Sequence, residues 1–342
     1  MSAPSAQVTP SPVWLRSRGF DAMFVFGTAG LALVSGLVVV ARPSLFGFLL
    51  FLDLWLLGYH HIFATMTRVG SDRRAVQEHR FLMTRLPFLV ALGVWALLSI
   101  GEGAALAGVY FYWQWLHYTR QSYGVERMYW RKMHGGDAPR IDRLTWSAIY
   151  VLPFAGLLYR SVQGQDEFLG GKSLWIPVPR DLMLAVAAVA AVLTCAWLVR
   201  EAAMSIRSRS ISPHSLYVIS HIVVFAVGYG LIKNVTHGWL VINMWHNAQY
   251  VMVVWMYNRG RFKSGVDPDH RLVSKLSQPG RAIQYFAISI GLSTVVYLFL
   301  GLGTALVAGT TVPALVYMSI NFHHYIVDSF IWKTRKPQHQ KN

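Results

Sequence analysis

Cysteine is nearly absent from this sequence, since its 342 residues include only Cys195. A single thiol excludes intramolecular disulfides, iron–sulfur clusters held by four cysteines and zinc sites of the CxxC type. Any metal that the chain binds must therefore take its ligands from histidine, carboxylate or carbonyl groups.

Charged residues are also scarce, at 13% of the chain, whereas a soluble domain carries about 25%. Hydrophobic residues make up 54% of the sequence, and the mean hydropathy is +0.38. This composition excludes an ordinary soluble protein and predicts an integral membrane protein. The abundant tryptophan, tyrosine and phenylalanine fit this class, because aromatic rings gather at membrane interfaces.

The apolar residues fall into stretches of the length that a membrane-spanning helix needs, which is roughly 17–25 residues. The sequence predicts an all-α fold, a polytopic bundle of about ten transmembrane helices. Very short links join several neighbouring stretches, as in antiparallel helical hairpins. The predicted spans are 21–41, 45–67, 86–101, 104–124, 144–160, 181–200, 214–233, 237–257, 283–301 and 304–332.

Acidic residues are outnumbered, 15 against 31 lysines and arginines, and the positions of the cations indicate the topology. Cytoplasmic loops carry the excess of lysine and arginine. With both termini in the cytoplasm, almost every cation lies on the inner side, as in a bacterial inner membrane. The basic balance then needs no nucleic acid partner. The cations left on the outer side are Arg42, Arg160, Lys172, Arg180 and Lys233.

The ends of the sequence are polar. Residues 1–20 are rich in proline and serine and lack the early cations and cleavage site of a signal peptide. We expect a cytoplasmic tail over 1–20, a single transmembrane domain over 21–332 and a second cytoplasmic tail over 333–342.

Histidines are the most informative polar residues. Those in loops, tails or at helix ends, such as His214, are expected to be solvated or interfacial, but eight lie inside predicted spans. Ionisable residues at membrane depth face the bundle interior and are candidates for function. Histidines in five spans lie about 10–20 Å from the cytoplasmic helix ends, which predicts one shared metal or proton-handling site near that side. The candidate ligands are His60, His61, His117, His221, His246, His323 and His324.

Polar neighbours accompany these histidines at helical spacing. Asp53 precedes His60 and His61 by about two turns, and Asp328 follows His324 at i+4, so the two project together. A carboxylate in this position ligates a metal or orients an imidazole; for Asp328, a helix-end pair with a nearby cation is an alternative. The candidate catalytic residues or alternate ligands are Asp53, Gln121, Asn247 and Asp328.

Many histidines with one or two carboxylates and no thiolate suit iron, zinc or copper rather than magnesium or calcium. Among these metals we expect iron, because iron with open coordination positions is the usual choice for activating dioxygen. The stretch "HHYIVDSFIW", 323–332, resembles the last helix of the carotene-cleaving dioxygenases of the Brp/Blh type. The wider pattern is similar to other histidine-rich membrane iron oxygenases, the fatty-acid desaturases and hydroxylases. The resemblance implies a mononuclear or di-iron centre that binds oxygen, and hydroxylation, desaturation or oxidative cleavage of a lipophilic small molecule.

The chain departs from both families, because it has no HxxxxH or HxxHH box and no proline-histidine-glycine motif. We therefore expect a distinct family with a similar site, surrounded by membrane lipids. The cytoplasmic stretch 119–132, "TRQSYGVERMYWRK", either closes the mouth of the site, docks an electron donor through its cations, or is an ordinary basic loop.

Two other classes of membrane protein use buried histidines. A haem protein would use imidazoles as axial ligands, often from two histidines a dozen or more residues apart on one helix. The predicted span 237–257 has only His237 and His246, nine residues apart. A proton- or metal-coupled transporter would use histidines as a relay, although its typical internal repeat is absent from this sequence.

Overall fold

The structure, a computed structural model, describes residues 13–70, 73–135, 142–307 and 311–331. Within these ranges the side chains are described as well, except those of residues 66–75 and 301–314. The predicted tail 333–342 and the first twelve residues of the predicted tail 1–20 lie outside the described residues.

The described chain is almost entirely helical, which confirms the all-α prediction. The long α8 covers one predicted span and continues through the basic stretch 119–132. The α-helices are α1 Arg18–Ala22, α2 Thr28–Ala41, α3 Phe46–Leu52, α4 Tyr59–Gly70, α5 Arg73–Glu78, α6 Arg80–Thr84, α7 Leu86–Ser99, α8 Gly103–Met133, α9 Arg143–Gln163, α10 Arg180–Ser208, α11 Pro213–Phe225, α12 Val235–Arg261, α13 Arg271–Leu276, α14 Ala282–Val307 and α15 Thr311–Ile331.

Shorter elements interrupt or join these helices. Two 3₁₀ turns and a small antiparallel hairpin occupy links, and three π-helical segments continue directly from or into α-helices. The 3₁₀ turns are Pro43–Leu45 and Pro268–His270, the strands are β1 Glu167–Phe168 and β2 Gly171–Lys172, and the π-helical segments are Met23–Gly27, Asp53–Gly58 and Ala226–Leu231.

Several helices are long and apolar enough to cross a membrane. Within the described residues, five stretches meet both conditions, and α7 is a shorter apolar helix. The surface of these stretches is itself apolar: the window in 282–300 is only 11% buried. Such exposure suits contact with lipid. The five stretches are Arg18–Ala41, Pro43–Thr65, Arg180–Ser208, Pro213–Leu231 and Ala282–Leu300.

Helix ends are set by short polar residues and glycine. The Asp142 carboxylate accepts hydrogen bonds from the backbone N–H groups of Leu144 and Thr145, which begins α9. The same helix ends at Gly164, whose φ of 53° lies in the left-handed region that glycine tolerates best. Ser212 caps α11, and Pro213 occupies its first turn.

The chain divides into two compact units, and each is built from discontinuous segments. The first comprises Met1–Leu37, Tyr118–Gly164 and Ile176–Ile242, and in it α9 packs against α10 and α11. The second comprises Val38–His117, Gln165–Trp175 and Asn243–Asn342. In the second unit α4, α14 and α15 pack together, and α15 also contacts α7.

Candidate metal centre

Four histidines and one aspartate from four helices of the second unit converge. Helix α4 contributes His61, α8 contributes His117, and α12 contributes His246. Helix α15 contributes both His324 and Asp328. Because these residues come from four different helices, the cluster depends on how the helices pack together.

Three of the histidines and the aspartate form a candidate metal site. One donor atom each from His61, His117, His324 and Asp328 lies within 4.8 Å of the others. All four side chains are buried, with at most 7% of their surface exposed. Metal–nitrogen bonds of about 2.0–2.1 Å place opposite donors roughly 4 Å apart. The donor set is therefore close to the size of a single ion's coordination shell.

The shortest contact joins His61 to His324, whose Nε2 atoms are 2.6 Å apart. Two imidazole nitrogens at this distance share either a proton or a cation, because their lone pairs otherwise repel. The Oδ2 atom of Asp328 lies 3.7 Å from the same Nε2 of His324. A carboxylate beside several imidazoles in a buried site favours a cation strongly, since the local dielectric constant is low.

Hydroxyl groups hold the other oxygen of Asp328. Oδ1 accepts hydrogen bonds from the hydroxyls of Tyr250 at 2.9 Å and Thr65 at 3.3 Å. These two hydroxyls are themselves 2.5 Å apart. The carboxylate is thus anchored on one side and presents Oδ2 to the histidines, the arrangement by which outer groups orient metal ligands.

Rings surround the donor cluster. The His246 ring lies 4.8 Å from that of His61 and 4.9 Å from that of His117, measured between centroids. The Tyr250 ring packs on His61 at 3.9 Å, and the Tyr325 ring stacks on His117 at 4.5 Å. Aromatic walls of this kind limit access of water and strengthen electrostatic interactions inside the site.

A π-helical segment sets which histidine of the pair 60–61 enters the cluster. In an ideal α-helix Asp53 would share its stripe with His60, seven residues on. The π-helix Asp53–Gly58 takes more residues per turn, so the phase is delayed and His61 comes onto that stripe. Asp53 accepts hydrogen bonds from Asn243 at 2.5 Å and Asn247 at 3.3 Å, both on α12.

The remaining predicted ligands make different contacts. The His323 Nε2 is 2.8 Å from the Leu82 carbonyl oxygen, and the His60 ring meets Phe286 edge-on at 5.9 Å. The first unit contains His221, whose Nε2 is 3.1 Å from the Ile149 carbonyl oxygen.

The structure also places the predicted catalytic residues in different surroundings. Asp328 is in the donor cluster, whereas Asp53 and Asn247 bond to each other. Gln121 is a half-buried residue of the first unit.

Two residues of the site escaped prediction as site residues, although helical spacing marks both. Thr65 follows His61 at i+4, and Tyr250 follows His246 at i+4. The expectation that His214 is a solvated or interfacial residue is wrong: it is buried inside the protein, and its Nε2 lies 3.0 Å from Oε1 of Glu126. The carboxylate partner, distant in sequence, makes burial of this imidazole tolerable.

These features define an α-helical protein with apolar helices of membrane-spanning length and a buried histidine–aspartate group that could bind a metal ion. No protein-family model, curated protein or solved structure matches the chain.

Proposed function

We propose that this protein is a membrane-embedded metalloenzyme that uses iron, mononuclear or di-iron, to oxidise a lipophilic small molecule. The observation that carries the proposal is the buried convergence of His61, His117, His324 and Asp328. Imidazoles with a carboxylate and no thiolate are the donors of non-haem iron oxygenases. Bound there, iron would supply the activation of dioxygen for hydroxylation, desaturation or oxidative cleavage.

The surroundings of the cluster support a lipophilic substrate. Tyr325, Trp113 and Phe322 form a continuous aromatic group beside His117, with Trp113 and Phe322 stacked at 5.3 Å. Aromatic side chains are common in the binding sites of apolar molecules, and a few polar groups orient the bound molecule. A lipophilic substrate would reach this aromatic group from the membrane lipid.

The site geometry favours non-haem iron over haem. The Nε2 atoms of His61 and His324 are 2.6 Å apart, so these two histidines would be too close together to hold a haem between them. The carboxylate of Asp328 adds a hard oxygen donor that suits non-haem iron.

The proposal includes the predicted topology and partners. Ten spans with both termini inside would place the centre toward the cytoplasmic side of a bacterial inner membrane. A cytoplasmic electron donor would then reduce the iron. The similarity of the last helix to the Brp/Blh-type dioxygenases supports this assignment as a distinct family with related chemistry.

The decisive experiment is elemental analysis and visible spectroscopy of the detergent-purified protein. We expect one or two equivalents of iron per chain and no Soret band. His61→Ala and His324→Ala should lose the iron, because each removes a converging donor. The neighbouring substitutions His60→Ala and His323→Ala are matched controls and should keep it, because their side chains make other contacts.

Four results would contradict the proposal. Folded wild-type protein without metal would show that the protein is not a metalloenzyme. Stoichiometric zinc would contradict the oxygenase chemistry, and a Soret band would indicate haem. Iron retained by His324→Ala would place the site elsewhere.

A further inference from the structure

The segment 259–281, here called the basic cap, joins the end of α12 to the start of α14. Directly after it begins Ala282–Leu300, a candidate membrane span whose apolar window is only 11% buried. Ile283, two residues beyond the cap, is 84% exposed. Because this apolar surface requires lipid around it, the cap lies where the chain meets the membrane surface.

The basic cap is folded by its own hydrogen bonds. Gln278 donates from Nε2 to the backbone carbonyls of Phe262, Gly265 and Ser274, at 3.1, 3.2 and 2.8 Å. Asp267 donates its backbone N–H to Ser274 Oγ at 3.0 Å. These bonds close the segment on itself and fix which side chains point outward.

The outward side chains of the basic cap carry excess positive charge. Within the described part of the chain, Lys263, Arg271 and Lys275 are exposed and form no ion pair. Of the two acids, Asp267 is engaged inside the cap: it accepts from the Asp269 backbone N–H and bonds His270, and these contacts lower its pKa. The cations of the cap are Arg259, Arg261, Lys263, Arg271, Lys275 and Arg281.

Apolar side chains lie among these cations. Val266 is 50% exposed and Leu272 is 56% exposed. On α13, Leu272 lies beside Arg271, and Lys275 follows Arg271 at i+4, while Ser274 and Leu276 are buried. The short helix therefore presents a mixed cationic and apolar surface outward, and its remaining face holds the cap together.

We propose that the basic cap binds acidic phospholipid at the surface of the membrane that surrounds the protein. Clusters of lysine and arginine beside a transmembrane helix attract anionic headgroups, and exposed aliphatic side chains enter the headgroup boundary. Covalent continuity with α14 holds the cap at that surface. A soluble acidic protein would explain the charge but would leave Val266 and Leu272 without a reason to be exposed.

The test places a fluorophore on one introduced cysteine, which requires the replacement of only one native cysteine, Cys195. In a Cys195→Ala background, Leu272→Cys or Ser264→Cys is labelled with an environment-sensitive fluorophore, and the full chain is placed in nanodiscs. We expect a blue-shifted emission and at least a twofold lower quenching by aqueous iodide in discs of phosphatidylglycerol and phosphatidylcholine than in phosphatidylcholine alone. Two label positions guard against the loss of the Leu272 side chain itself.

Charge neutralisation supplies the matched comparison. The triple variant Lys263→Gln, Arg271→Gln, Lys275→Gln should lose most of the lipid dependence, as should wild type at high salt. A control triple variant of exposed cations outside the cap, Arg42→Gln, Lys172→Gln, Arg180→Gln, should keep it.

Two outcomes would overturn the proposal. One is equal emission and quenching in both kinds of disc. The other is protection by soluble polyglutamate in phosphatidylcholine discs with none from phosphatidylglycerol, which would indicate a protein partner instead.

Discussion

At the residue scale, neighbouring histidines of the same helix have different surroundings. His323 bonds a backbone carbonyl, a common partner of a buried structural imidazole. His324, the next residue, faces His61 and Asp328, and within the described residues its Nδ1 atom has no hydrogen-bond partner. His324, unlike His323, therefore belongs to the group of donors that could bind a metal ion.

Tyr250 is the residue outside the donor set whose removal should affect metal binding most directly. Its hydroxyl bonds Asp328 Oδ1 at 2.9 Å, and outer partners of this kind are worth about 10- to 100-fold in metal affinity. We expect Tyr250→Phe to weaken metal binding about 10-fold without unfolding the protein. Competition with a chelator of known affinity, followed by metal analysis, measures the change.

Tyr257→Phe is a suitable control for that measurement. It lies on the same helix, α12, but is 38% exposed, so its metal affinity should equal that of the wild type. Equal affinity in Tyr250→Phe as well would indicate that the hydroxyl does not hold the carboxylate in the metal-bound protein.

At the scale of elements, two π-helical segments lie next to buried polar groups. Asp53–Gly58 precedes the cluster histidine of α4, and Ala226–Leu231 ends α11 in the first unit. There the guanidinium of Arg160 donates to the carbonyls of Gly228, Ile232 and Lys233. The buried cation thereby satisfies carbonyls that a helix end leaves unpaired.

A close approach of two glycines fixes that helix end against α12. A Cβ on Gly238 would overlap the carbonyl oxygen of Gly228, and a Cβ on Gly228 would lie 2.8 Å from the carbonyl oxygen of Gly238. We expect Gly238→Ala to destabilise the protein by about 1–3 kcal/mol through overpacking. Thermal unfolding followed by tryptophan fluorescence in a fixed detergent measures the loss.

Gly230→Ala provides the comparison, because nothing lies within 4 Å of a Cβ built at Gly230. Its midpoint should stay within a few degrees of the wild type. If both alanine variants melt together, the glycine contact does not limit the approach of the two elements.

At the scale of the whole molecule, the distribution of cations leads to a topology that can be measured. The predicted ten spans place Lys172 outside and Asp269 inside. In the Cys195→Ala background, we expect Lys172→Cys to react with a membrane-impermeant maleimide in right-side-out vesicles only. Asp269→Cys should react in inverted vesicles only; labelling of both from one side would refute the predicted arrangement of spans.

The sequence by itself determined the class of protein and the chemistry available to it. Scarce charge and long apolar runs leave too little polar surface for a soluble fold, so helices of spanning length follow. A single cysteine and histidines at membrane depth restrict the donors to imidazole and carboxylate. The pair His324 and Asp328 was predictable because i, i+4 spacing is a local property of the helix.

Only the tertiary structure decided which histidines meet. The contacts of His61 with His324, and of Asp328 with Tyr250 and Thr65, join residues far apart in sequence, so no local periodicity encodes them. Hydropathy likewise does not reveal a π-helical turn, and that turn selects His61 over His60. Packing between helices sets the mutual distances, whereas sequence spacing constrains only neighbours within one helix.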